Sequence, residues 1–159
     1  MSEIVYVFKG KYSFLSNFYQ HDIIKYHNLI ANDIETLYQA SKTINSIDKD
    51  YILSSYSPGN AKRRGTQVLL RSDWEDVKVS VMKDLLSLKF AIPFLRKALI
   101  DTKGIILIEG NYWGDQFWGV CNGKGENKLG ELLMELRRSI TNEPVLNFNR
   151  KEIYARIYF

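Results

Sequence analysis

One cysteine, two histidines and three prolines are all that this 159-residue chain holds of those types. A lone thiol, Cys121, excludes an internal disulfide and suits a reducing compartment. His21, His27 and Cys121 are too few and too scattered for a zinc constellation, so neither a metal nor a cofactor is expected. No apolar run approaches the roughly 18 residues that span a bilayer. The opening Met1-Ser2-Glu3-Ile4 also lacks the basic and then apolar regions of a signal peptide, so a cytoplasmic protein without membrane attachment is expected. Repeats, low-complexity stretches and Ser/Gly linkers are missing too, which leaves one domain as the simplest organisation. Charge of one sign is scarce: 22 basic against 18 acidic side chains give +4. That balance is compatible with a phosphate-bearing ligand but is far from the basic stripe of a dedicated DNA binder.

What is present is a globular composition, 45% hydrophobic and 13% aromatic, long enough to bury a core. Ile4 to Phe8 reads as a strand, and Ile23–Tyr26 with Leu29–Ala31 reads as a hairpin turning at His27-Asn28. A helix should begin at Asn32 or Asp33, with Ile34, Leu37, Ser41 and Ile44 as its inward stripe. Ser57-Pro58 is a strong helix start. Ser72-Asp73-Trp74-Glu75 reads as a capping box that opens a helix with Trp74, Val77, Val81, Leu85 and Leu88 on one face. Pro93 starts another helix, which should stop near Gly104, and Ile105–Ile108 reads as a buried strand. Leu129, Leu132, Leu133, Leu136 and Ile140 mark a final amphipathic helix. Beyond Pro144, alternation from Ile153 to Phe159 predicts a terminal edge strand. The expected class is α+β: a single helix-rich domain with a small β-sheet and a hairpin.

Three constellations can carry chemistry. Glu35, Gln39 and Lys42, bordered by Tyr38, fall in one narrow polar arc of a helix. Glu35 also lies three residues after Asn32, where it can complete a capping box, and spacing alone favours that structural reading. Ser57 to Gly65 combines a helix N-terminus with Lys62, Arg63 and Arg64, an arrangement that suits a phosphate as well as a solvated surface. Asn111 to Asn127 gathers Tyr112, Trp113, Phe117 and Trp118 among glycines, a flat wall for a base followed by a Gly-x-Gly approach to an anion. Cys121 reads as a small buried filler, and His21 and His27 read as structural or exposed.

In collinear order, the chain carries Phe14-Leu15-Ser16-Asn17-Phe18-Tyr19, Glu35-Thr36-Leu37-Tyr38-Gln39-Ala40-Ser41-Lys42 and Ser57-Pro58-Gly59-Asn60-Ala61-Lys62. Arg71-Ser72-Asp73-Trp74-Glu75, Glu109-Gly110-Asn111, Trp118-Gly119-Val120 and Gly125-Glu126-Asn127 follow, and Leu133-Met134-Glu135-Leu136-Arg137 closes the series. From Tyr6 to Arg138 this order resembles the NADAR family, the YbiA-like N-glycosidases. Thr36 stands where a histidine often follows the glutamate, and the tail after Ile140 has no counterpart in the pattern. The resemblance implies a domain over residues 1–140, with 141–159 as an extension packed on it.

It further implies a pocket for a ribose-phosphate or ADP-ribose-like ligand and cleavage of an N-glycosidic bond. The substrate would be a phosphorylated aminopyrimidine riboside of riboflavin biosynthesis or ADP-ribosyl-guanine in nucleic acid. Glu35 would be the catalytic carboxylate. Asp115 or Lys42 would supply the leaving base's proton, or Lys42 would attack the sugar as a Schiff-base nucleophile. Asn17 would bind sugar hydroxyls, Trp118 would stack, and Gly125 and Asn127 would hold phosphate. Phe18, Tyr38, Gln39, Lys62, Arg64 and Trp113 complete the expected lining. A non-catalytic nucleotide sensor would use the same pocket, and a nucleic-acid accessory protein would draw on Lys62, Arg63 and Arg64. Glu35 and Lys42 together favour catalysis, because recognition alone needs no nucleophile.

Overall fold

The computed structural model describes residues 2–158; Met1 and Phe159, the outer ends of the leader and terminal-strand readings, lie outside the described residues. In chain order the elements are β1 (Ile4–Val5), a 3-10 turn (Gly10–Leu15), β2 (Ile24–Tyr26), β3 (Leu29–Ala31), α1 (Ile34–Ala40), α2 (Ser46–Leu53), α3 (Pro58–Gly65) and α4 (Trp74–Lys89). There follow α5 (Pro93–Ile100), β4 (Ile106–Leu107), β5 (Gly110–Asn111), β6 (Val120–Cys121), β7 (Lys124–Gly125), α6 (Lys128–Thr141) and α7 (Arg150–Tyr154). The expected α+β, helix-rich class is observed. Two compact units divide the chain, residues 17–93 in one and residues 1–16 with 94–159 in the other.

In the unit of residues 17–93, short polar side chains start the helices. Asp33 accepts from Thr36, Asn45 from Asp48 and Ser57 from Asn60, each satisfying a first-turn N–H that has no helical partner. Helix α2 was not foreseen, because among its residues only Ile52 is fully buried and no apolar stripe announces it. The hairpin β2–β3 pairs Tyr26 with Leu29, and the left-handed turn residue is His27 (φ 53°) rather than its asparagine neighbour. The inward stripe of α1 holds for Ile34, Leu37 and Ser41, but the helix ends at Ala40 and Ile44 is exposed. At α4 the expected capping box does not form: Asp73 makes no cap bond, because Arg71 takes both of its carboxylate oxygens at 2.6 and 3.0 Å. The helix forms nonetheless, with Trp74, Val81 and Leu85 buried as read.

In the other unit, β1 pairs parallel with β4, and β6 lies between β5 and β7. The early strand is shorter than Ile4–Phe8, and the glycine-rich loop supplies three two-residue strands that the sequence did not reveal. The C-terminal strand is overturned. Residues Arg150–Tyr154 form a helix capped by Asn149, which buries Tyr154; Ala155 is exposed, and Ile157, just beyond the helix, is buried. Tyr154 and Ile157 join Ile106, Ile108 and Val120 in one apolar cluster, with Leu146 and Phe148 against it.

A second tie is ionic. Arg137, fully buried on α6, pairs with Glu143 and donates to the Thr102 carbonyl (2.7 Å) and hydroxyl (3.0 Å). The other Glu143 oxygen accepts from the Gly104 amide at 2.8 Å. Removing one member strands a buried charge, so Glu143→Ala should lower unfolding free energy by ~3–5 kcal/mol in urea titrations. A loss below about 1 kcal/mol would show that the pair is not the anchor described.

Candidate active site

Helix α1 is seven residues long and every one of them is buried, including Glu35, Thr36 and Gln39. Its start is held from three sides. Asp33 Oδ1 accepts from the Thr36 amide (2.7 Å), Asp33 Oδ2 accepts from the Thr36 hydroxyl (2.9 Å), and the Asn17 carbonyl accepts from the Glu35 amide (3.0 Å). The hydroxyl at 36 therefore has a local task, doubling the cap. Glu35 is the second residue of the helix and its carboxylate does not reach back to the cap. Oε1 accepts instead from Gln39 Nε2 at 2.7 Å, one turn along. The capping-box reading of Glu35 is thereby corrected.

Electrostatically the site is built on opposed shifts. Burial pushes the Glu35 carboxyl above the ordinary glutamate range; the Gln39 hydrogen bond, Lys62 and Lys42 pull it back, and Asp33 raises it further. Burial pushes the Lys42 amine below the ordinary lysine range, Glu35 opposes that, and Lys62 and Lys78 add to it. Both groups are moved toward their neutral forms, which makes proton transfer between or through them less costly. Lys42 is the second residue beyond α1, after the Ser41 cap, with its ammonium 5.5 Å from the centre of the Tyr38 ring and its carbonyl accepting from the Arg71 amide at 2.7 Å. Tyr38 leans on Trp74 of α4, with ring centres 5.1 Å apart. Lys62 of α3 lies 5.9 Å from the Phe18 ring, which is itself exposed.

Thus Asn17, Phe18, Glu35, Tyr38, Gln39, Lys42 and Lys62 belong to one unit, where Glu35, Gln39, Lys42 and Lys62 interact around one carboxylate. Asn17 acts through its carbonyl; its side-chain amide contacts Met82 Sδ at 3.5 Å. Arg64 donates to the Tyr51 carbonyl (2.6 Å) and Ser54 hydroxyl (3.0 Å) and stacks on Tyr51, which ties α3 to α2. In the other unit, Asp115 Oδ1 accepts from the Phe117 and Trp118 amides and closes the aromatic loop. Asn127 bridges the Glu109 amide and the Leu107 carbonyl at the start of α6. Gly125 has φ 151°, and a Cβ there would stand 2.1 Å from the Gly119 carbonyl oxygen. Trp113 is half-exposed, and Trp118 packs edge-on to Phe117.

Two features escaped sequence reading. Lys89 is fully buried, near the Tyr19 and Phe90 rings and within electrostatic reach of Asp33 and His21. Asn60 is buried with neither end of its amide hydrogen-bonded. Asn60 stands inside the Ser57–Lys62 motif and Lys89 ends α4; the residue types were visible in the sequence but their burial was not.

The fold is helix-rich α+β, with a buried carboxylate in the first turn of one short helix and a lysine just beyond its end, a pair of groups of the kind that acid–base or nucleophilic chemistry uses. Residues 6–141 match the NADAR domain, and the chain belongs to the NADAR family. It is 39% identical over 116 residues to N-glycosidase YbiA of Shigella boydii, covering 69% of this chain and 70% of that protein. An N-glycosidase of Nostoc punctiforme is 34% identical over 138 residues, 82% of this chain and 87% of the relative. The chloroplastic riboflavin biosynthesis protein PYRR of Arabidopsis thaliana is 42% identical over 87 residues, and this chain spans only 14% of its length. The NMR structure of E. coli YbiA shares the fold, with a TM-score of 0.76 at 32% identity over 94% of this chain and 91% of that one.

Because the Glu35 pKa is raised in the folded state, its stability contribution is greatest below the unfolded glutamate pKa. It declines as pH rises through the higher folded value. Glu35→Gln keeps an acceptor for Gln39 and removes the buried charge. The variant should melt above the wild type at neutral pH, with the gap closing as the solution is acidified through the raised folded value and down toward the ordinary glutamate pKa of ~4.3. Thermal melts across that range test this; a variant less stable than wild type at pH 7 would contradict it.

Proposed function

We propose that this protein is an N-glycosidase that hydrolyses the bond between a base and a phosphorylated ribose or ADP-ribose. The observation that carries the reading is the buried Glu35 carboxylate, held by Gln39 and interacting with Lys42 and Lys62. Breaking a ribosyl C–N bond builds positive charge on the anomeric carbon, and an oriented carboxylate in a low-dielectric setting stabilises that charge. Water adds its oxygen to the anomeric carbon and gives a proton to Glu35. The base departs with the electron pair of the C–N bond and takes a proton from the Lys42 ammonium. Lys62 supplies positive charge suited to a substrate phosphate. A second route uses the same pair: neutral Lys42 attacks the anomeric carbon, and the base leaves, taking a proton from the Lys42 nitrogen. The bond between the anomeric carbon and the ring oxygen then opens to an imine as the ring oxygen takes a proton. Water adds to the imine carbon with Glu35 as base, and the Lys42 amine is released.

The names of the relatives support both the reaction and its setting. N-glycosidases cover most of this chain's length, and the plant matches are named for riboflavin biosynthesis, which favours an aminopyrimidine riboside phosphate as one substrate. ADP-ribosyl-guanine in nucleic acid is the other substrate class, and a cytoplasmic setting suits both.

Purified protein incubated separately with each substrate should release free base from at least one. On that substrate, Glu35→Gln should fold and lose roughly 10²–10⁴-fold in rate, the scale of a missing acid–base group. Borohydride added during turnover should leave a sugar adduct on Lys42 if the imine forms. Without an adduct, Lys42→Arg should retain partial activity, because the charge survives. Tight ADP-ribose binding with no base release from either substrate would replace the enzyme reading by that of a sensor.

A further inference from the structure

Gln39 is 3% exposed, and its amide is oriented by its neighbours. Nε2 donates to Glu35 Oε1 at 2.7 Å; with Glu35 ionised, the form that the proposed reaction uses, the reverse orientation would set oxygen against oxygen. Oε1 then faces α3 with no hydrogen-bond donor, over the bare Cα of Gly65. A Cβ at position 65 would stand 1.9 Å from Oε1 and 2.7 Å from Cδ of Gln39, closer than atoms tolerate. Gly65 does not have a positive φ, so the turn does not explain the glycine; the close approach of Gln39 does.

We infer that Gln39 and Gly65 act as one positioning device for Glu35: the missing side chain at 65 leaves the room that the amide occupies, and the amide fixes one carboxylate oxygen, leaving the other for the reaction. This rests on the proposed role of Glu35 as the reacting carboxylate. It assigns Gln39 to the carboxylate rather than to the substrate. An unpartnered carbonyl oxygen buried against α3 is a costly arrangement, which a methionine of similar shape would avoid. Its presence is explained if the N–H at the other end of the amide is what the site requires.

Gln39→Met fills the same space without the donor, and Gly65→Ala keeps the donor but displaces it. Both should shift the acid limb of kcat/KM to higher pH, with roughly ten-fold lower activity on the acid side and recovery above it, because the hydrogen bond favours ionised Glu35. The groups facing that carboxylate are Lys42 after α1, Lys62 on α3 and Asp33 at the cap, and all are unchanged in these variants. Gly65→Ala added to Gln39→Ala should cost little more than Gln39→Ala alone, a strongly non-additive pair. The carboxyl 13C shift of Glu35, followed against pH, reads the same titration without turnover. It should move up in both single variants even if no substrate is ever found. Folded variants with wild-type pH profiles and an unmoved Glu35 titration would overturn the inference. A moved titration in a protein that cleaves nothing would overturn only the enzymatic reading.

Discussion

The start of α1 is the constraint on which the site depends. A seven-residue helix is too short to be stable alone, and this one buries a carboxylate, an amide and two hydroxyl-bearing neighbours besides its apolar face. It persists because Asp33 and the Asn17 carbonyl satisfy first-turn amides and because α3 presses against it closely enough to require a glycine. The direction of the Glu35 side chain, the placement of Gln39 and the exit of Lys42 from the last turn all follow from where that helix begins.

Around this start the unit tolerates charge in its interior by clustering opposite signs. Asp33 is raised by burial and restrained by its Thr36 bonds, His21 and Lys89. Lys89, fully enclosed, sits near two aromatic rings. Isolated, each of these ions would be prohibitive in a low-dielectric interior; grouped, they offset one another's desolvation without gaining much net stability. Such an arrangement is better understood as fixing geometry and proton affinity at α1 than as strengthening the fold.

Much of this was legible in the sequence, and the failures have physical causes. The pairing of Glu35 with Gln39 one turn along follows from helical spacing, whereas Lys42, read on the same helical arc, lies beyond the end of α1; the caps at Ser57 and near Asp33 follow from side-chain chemistry. Moving the cap from Asn32 to Asp33 is a one-residue change. It shifts Glu35 from the third to the second helical position and turns a reach-back cap into a free carboxylate bound one turn along. The terminal strand was misread because Ile153, Ala155 and Ile157 alternate, while Tyr154 and Ile157, three apart, are the pair that the core takes. Helix α2 escaped because it buries so little, and the two-residue strands escaped because their pairing is set by distant partners rather than by local pattern.

The family match ends at residue 141, yet Glu143, Tyr154 and Ile157 lie beyond it and are all buried. A boundary drawn by similarity therefore does not coincide with a boundary of cooperativity. The last stretch of chain shares the fate of β4 and α6 because it supplies a counter-ion to one and apolar cover to the other. Protection of the amides around Arg137 in α6 and along β4 thus depends partly on residues outside the recognised domain. In that sense the segment is an internal part of the protein that happens to come last in the sequence.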